Sequence, residues 1–323
     1  MPFADMILAA SARRVVEVSA AVRPNENVCV VTDTNKLAIA EALAKASAAL
    51  GAETVVCIMT PRRMHGNEPP AVMAGAMRVA DVILAPTTYA ITHTDARIAA
   101  SRAGARTIIL RGITEDTFVN GAMQADYAQI HALGSRLAAR FGEASRIRMT
   151  SPGGSDISMS VAGQRGLCLG GLAREAGTFT SLPSGETAIV PVEGTAEGVV
   201  VADHAVDGLG LLSEPIRLTV AKGRVTRIEG GSDARRLLAL VEGADANANN
   251  FAEFAIGLNP LSRMLGNLAE DKILRGCVHV AVGDSHTIGG AISSEIHLDH
   301  VVLRPTVWLD DEVIVKDGQL LAE

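Results

Sequence analysis

Four short, continuously apolar runs, each flanked by helix-like segments, constrain the first half of this chain most strongly. They lie at 28–32, 54–58, 82–85 and 107–110. None alternates apolar with polar residues, as a strand with one wet face does; an unbroken apolar run reads as a strand buried on both sides. The neighbouring segments at 5–22, 36–50, 70–79 and 95–103 have helical composition. That alternation predicts an α/β fold with a parallel sheet covered by helices above and below. A helix at 121–141 closes this half, so residues 1–145 are expected to form one α/β domain. No GxGxxG or GxxxxGK[ST] follows any of the strands, which argues against a nucleotide cofactor.

The texture changes near residue 146. Ser151-Pro152-Gly153-Gly154-Ser155-Asp156 is a turn of the kind that joins hairpin strands, and 157–161 alternates apolar with polar residues. Short strands follow at 187–191, 198–203, 216–220 and 224–229, with helices at 232–243 and around 259–269. Residues 146–323 are therefore expected to form a mixed α+β domain.

Composition excludes several classes. With a net charge of −7 and no Lys/Arg block, the chain has no electrostatic footprint for nucleic acid. The N-terminal helix carries Arg13 and Arg14 among its apolar residues, which reads as amphipathic rather than as a signal peptide or membrane span. The four cysteines are dispersed without CxxC spacing. Cys29 and Cys57 sit in apolar strand-like runs and read as buried thiols, and a reducing cytoplasm is the expected location.

Chemistry concentrates in the last third, where four of the eight histidines fall. In SEIHLDH, His297 and Asp299 are two apart, so an extended strand aims both at one face while His300 points away. Such a pair is either half of a metal site or a hydrogen-bonded pair on a wet face. His279 sits in the strand-like VHVAV, where a lone histidine is usually a satisfied core residue. His286 follows in the loop Gly283-Asp284-Ser285-His286-Thr287-Ile288-Gly289-Gly290. Glu253 in FAEFAIGLNP and Glu186 in LPSGETAIVP have apolar neighbours, and a buried carboxylate stays charged only beside a cation or several donors. Taken together these groups point to a divalent metal.

The strings LPSGETAIVP, FAEFAIGLNP, GNLAED…VHVAVGDSHTIGG and EIHLDHVVLRPTVWLDDEVIVKDG resemble the M29 metallo-aminopeptidases, the AmpS-like or thermophilic metalloprotease group, over about residues 180–318. The resemblance implies a metal-dependent hydrolase with two divalent ions (zinc, cobalt or manganese), an activated water, a short peptide or small amide as substrate, and a homodimer. It places ligands at Glu186, Glu253, His279, His297 and Asp299, with Glu253 bridging the two ions and also acting in catalysis. His286 stands where the aminopeptidases have a catalytic-site tyrosine and is expected to be catalytic, stabilising the oxyanion or passing a proton to the leaving amine, and Asp284 is expected to orient a ligand imidazole. The chain also resembles the related 2,5-dihydroxypyridine 5,6-dioxygenases, which use mononuclear iron(II) to open an aromatic ring. Those enzymes share the His-x-Asp pair but carry histidine in place of Glu253 and lack counterparts of Glu186, His279 and His286. The carboxylate-rich set puts the hydrolase first, the dioxygenase second and a non-catalytic metal-binding homologue third.

Overall fold

The computed structural model of the chain describes residues 2–321. The polypeptide divides into two compact units. One comprises residues up to Gln129 together with Gly171–Ser184; the other comprises Ile130–Gly170 together with Gly185 onward. Residues 130–145 and 171–184 distinguish this partition from a single cut after residue 145.

The first unit is built on a five-stranded parallel sheet in the order Glu53–Met59, Asn27–Asp33, Val82–Thr87, Arg106–Arg111, Phe179–Ser181. The expected α/β class is therefore present. The central strands are buried almost throughout, and Val31, Ile83 and Ile109 join Met73 and Met77 in one core cluster. Glu53–Met59 departs from the expected double burial: Val55 is 59% exposed and Ile58 57%. It is an edge strand with a partner on one side only, and its apolar composition reports β propensity as much as burial. Arg106 braces this unit beside the sheet. Its guanidinium donates to Glu26 Oε2 at 2.6 Å and to the Ala20 carbonyl at 3.1 Å, tying down the end of the N-terminal helical segment.

The helix expected at 121–141 is two elements, a 3-10 turn Gly121–Gln124 and the helix Tyr127–Glu143. Asp126 accounts for the break, because its carboxylate accepts from the amides of Ala128 and Gln129 and starts a new helix.

The second unit carries two antiparallel sheets, as its alternating patterns and turn residues require. In an eight-stranded sheet, Arg146–Thr150 and Asp156–Ser160 form the predicted hairpin, and Ile216–Ala221 and Arg224–Glu229 form another. The seven-stranded sheet runs Gly210–Leu211, Ala205–Val206, His297–Val302, Val278–Gly283, Phe251–Gly257, Glu186–Ile189, Leu167–Leu169. One face of that sheet is covered by the long helix. Phe141 meets Phe254 with ring centroids 6.4 Å apart, and Thr187 Oγ1 donates to the Gly134 carbonyl. Ser232–Gly243 is helical as expected, but the helix around 259–269 reduces to Leu268–Asp271. Pro260 and Gly266 break the segment, and the Asp271 carboxylate accepts from the amides of Leu265 and Gly266, which leaves them no helical role. No helix among the described residues is long and apolar enough to cross a membrane.

Candidate metal centre

Strand register explains why residues so far apart in sequence meet. Glu186 is paired with Gly257, Glu253 with Ala281, His279 with Ala255, His297 with Gly283, and Asp299 with Ala281. Paired residues share a face, and residues two apart on a strand do too. All five side chains therefore rise from one face of the seven-stranded sheet, opposite the face that the long helix covers. Each has a Gly or Ala as cross-strand neighbour, which leaves room above the sheet. Two of these small residues are also required by close approach. A Cβ at Gly257 would collide with the Leu274 carbonyl oxygen, and one at Gly283 with that of Ile296.

The donors form two overlapping triads, Glu186–Glu253–His279 and Glu253–His297–Asp299. Within each, one ligand atom per residue lies within 4.8 Å of the others. His297 Nε2 is 3.1 Å from Glu253 Oε2 and 3.3 Å from Asp299 Oδ1. His279 Nε2 is 3.5 Å from Glu186 Oε2 and 3.8 Å from Glu253 Oε1. All but His297 are buried; the His297 side chain is 27% exposed, so the second triad has the edge that faces solvent.

Two features fit this cradle to a cation. Glu186 Oε2, His279 Nε2 and Asp299 Oδ1 are buried without a hydrogen-bond partner, an arrangement that costs free energy unless a cation satisfies it. Both imidazoles also have their other nitrogen against a backbone carbonyl: His279 Nδ1 lies 3.2 Å from Lys272 O, and His297 Nδ1 lies 2.7 Å from Asp284 O. A carbonyl only accepts, so each ring keeps a proton on Nδ1 and aims Nε2 into the cluster, the atom that a metal would take from the neutral ring.

Charge follows the same geometry. Burial alone would raise Asp299, but the Lys272 ammonium and the neighbouring His297 imidazole overcome it and hold the carboxyl well below its usual range. Burial likewise opposes ionisation of Glu253, yet His297 and His279 keep it below the ordinary value. His297 is driven the other way: despite burial, Asp299 and Glu253 raise it well above a free imidazole. His300, behind the sheet face, is lowered to about 4 by burial and donates no charge to the centre.

Five of the six sequence-identified residues thus converge. His286 does not join them: it is exposed on the turn His286–Ile288, and its backbone amide bonds to Ile292 O. Asp284 meets the His297 imidazole through its backbone carbonyl. Its carboxylate is occupied by Thr287 and the Ser294 amide. Sequence reasoning missed Lys272, whose Nζ lies 3.0 Å from Asp299 Oδ2 and 3.3 Å from Glu186 Oε1. It also missed how that lysine is placed. Glu270 pairs with Arg263 at 3.1 Å and Asp271 with His204 at 2.9 Å, both carboxylates being buried, so the turn before Lys272 is pinned on each side. The signal was the acidic pair directly before a lysine in LAEDKIL, seven residues ahead of His279.

Fold and donor set together define a class: an α/β chain with a candidate metal centre on one face of an antiparallel sheet. Within that class the chain belongs to the NicX family, 2,5-dihydroxypyridine 5,6-dioxygenase, whose model matches residues 8–322. A curated relative, the 2,5-dihydroxypyridine 5,6-dioxygenase of Pseudomonas putida, is 25% identical over 193 residues, which is 56% of this chain and 55% of the relative. The chain's match thus spans about half the length of that protein. Among solved structures, the 2,5-dihydroxypyridine dioxygenase of Pseudomonas putida KT2440 superposes with a TM-score of 0.83 at 20% identity, covering 98% of this chain and 97% of its own. Wild-type AmpT from Thermus thermophilus gives 0.74 at 16% identity, covering 98% and 99%. At such identities these neighbours establish the shared fold. The aminopeptidase resemblance is met there at the level of fold, whereas the family match falls on the dioxygenases that sequence reasoning had placed second.

Proposed function

We propose that this chain is a mononuclear metal-dependent ring-cleaving dioxygenase acting on a small hydroxylated pyridine. The observation that carries the reading is the family match over residues 8–322 together with a single solvent-facing triad, Glu253–His297–Asp299, containing the His-x-Asp pair. Iron(II) held by these three residues would supply the redox chemistry through which dioxygen reacts with an electron-rich ring. Two carboxylates and one imidazole make a harder donor set than the two imidazoles and one carboxylate of non-haem iron(II) oxygenases, so Glu253 is the position where this chain departs from that pattern. The protein's own part is positional. His297 is fixed in its Nε2-ligating form by the Asp284 carbonyl, Asp299 is held ionised by Lys272, and Glu253 Oε2 stands 3.1 Å from the same Nε2, beside the place the ion would take. The partly exposed edge at His297 is the side from which a small planar substrate enters.

The test is anaerobic reconstitution with Fe(II), then addition of 2,5-dihydroxypyridine with and without oxygen. Loss of the ring absorbance with equimolar oxygen uptake is the expected result; an unchanged spectrum under oxygen overturns the reading. One observation favours a second chemistry, metal-activated hydrolysis of a small amide. The triad Glu186–Glu253–His279 offers a further set of donors that shares Glu253. Hydrolysis of amino-acid amides restored by Co²⁺, Mn²⁺ or Zn²⁺ after chelation, without oxygen uptake, would identify that chemistry.

A further inference from the structure

We infer that Lys272 takes the place of a second cation and sets the metal content of the centre at one ion per chain. The inference deepens the mononuclear reading above, but it concerns stoichiometry and is separable from the reaction. Two overlapping triads sharing Glu253 are, by donor chemistry alone, a frame that two divalent ions could occupy. The charge balance of the cradle decides otherwise. Glu186, Glu253 and Asp299 bring three negative charges, and Lys272 brings one positive charge into the same cradle, since two of the three carboxylates lie within 3.3 Å of its Nζ. With neutral imidazoles, two negative charges remain, the amount that one divalent ion balances. A second divalent ion would leave a buried excess of two positive charges beside the ammonium, and uncompensated buried charge is strongly disfavoured.

Position argues the same way. Lys272 touches Glu186 of one triad and Asp299 of the other, so its ammonium bridges them as a shared ion would. Its side chain is only 16% exposed. The turn that carries it is built for the purpose: buried Glu270 and Asp271 are anchored by Arg263, His204 and the amides of Leu265 and Gly266. Lys272 O also receives His279 Nδ1, so one residue orients an imidazole of the Glu186–Glu253–His279 triad and supplies the charge that closes it. Glu186 and His279 then serve to hold Lys272 and Glu253 in place, leaving Glu253, His297 and Asp299 to the single metal.

The experiment is a Co²⁺ titration of the metal-stripped full-length protein, read by visible absorption and by elemental analysis after gel filtration. Wild type is expected to retain one Co²⁺ per chain, and Lys272→Met, which removes the charge while keeping much of the stem, is expected to retain two. Lys272→Arg should stay at one. Two ions in wild type, or one ion in a folded Lys272→Met, overturns the inference. Should Lys272→Met not fold, as circular dichroism would tell, Lys272→Gln and the wild-type stoichiometry decide. One ion without oxygen uptake on the pyridine leaves this inference standing and removes the dioxygenase reading. Two ions with oxygen uptake overturn this inference and the mononuclear part of the reading, and leave oxygen-dependent ring cleavage standing.

Discussion

Glu253 is the one donor common to both triads, and it sits at the middle of the cradle with His297 and His279 on either side. Replacing it with alanine removes a ligand and leaves two imidazoles facing no carboxylate between them. Glu253→Ala is therefore expected to lose at least about 10²-fold in metal affinity and turnover, since even outer contacts of metal sites cost that order. Equilibrium dialysis against Co²⁺ with a circular dichroism control measures it; retained affinity would remove Glu253 from the site. The small residues between the donors carry a second expectation. Ala281 lies between Glu253 and Asp299 in register, so a leucine there would fill the space the carboxylates need. Ala281→Leu should weaken metal binding sharply, and overpacking of this kind typically costs about 1–3 kcal/mol of stability; thermal unfolding and the same dialysis report the two effects separately. The donors were readable in the sequence because their types are chemically distinctive and their spacing of two marks one strand face. The companion pattern, Glu253-x-Ala255-x-Gly257 beside His279-x-Ala281-x-Gly283, was equally present. What fixes the tautomers was not readable, because the acceptors are the backbone carbonyls of Lys272 and Asp284, and no residue type announces a carbonyl's direction.

Elements were legible to the extent that their cause is local. The four apolar runs became parallel strands, and the Ser151–Asp156 turn joined a hairpin, because pattern and turn chemistry act over a few residues. Burial is a tertiary property, so Glu53–Met59 reads like its neighbours and differs from them only in standing at the sheet edge. The short strand Phe179–Ser181 is another such case: nothing local tells that it joins the parallel sheet beside Arg106–Arg111. At 259–267 the helical composition lost to side-chain capture of amides by Asp271. One long-range tie now carries its own prediction. The Arg106–Glu26 pair is almost enclosed, with side chains 8% and 16% exposed, and the guanidinium also caps helix-end carbonyls at Ala20 and Ala21. Removing one member of such a pair strands the other charge. Arg106→Met is expected to destabilise the protein by roughly 3–5 kcal/mol, measured by urea unfolding, and to leave the metal donors of the other unit untouched. A change under about 1 kcal/mol, the level of an exposed pair, would show the contact to be weaker than its burial implies.

At the scale of the whole molecule, the acidic balance of −7 is not spread evenly over chemistry: three of its carboxylates are gathered in one buried cradle. Without a divalent cation, Lys272, His297 and His279 oppose their mutual repulsion, and the same pairing raises His297 and lowers Asp299. A cation that binds the folded cradle and not the unfolded chain stabilises by linkage, about 2.7 kcal/mol at a concentration 100 times the dissociation constant. Stripping the metal is therefore expected to lower the unfolding temperature by several degrees, roughly 2–4 °C per kcal/mol for chains of 150–250 residues and less as length grows. The shift should saturate with added Co²⁺ or Fe²⁺ and should vanish in Glu253→Ala. Scanning calorimetry with and without chelator, on wild type and variant together, separates this from general salt effects. A shift that persists in the variant would place the stabilising ion elsewhere than on the sheet face that holds Glu253.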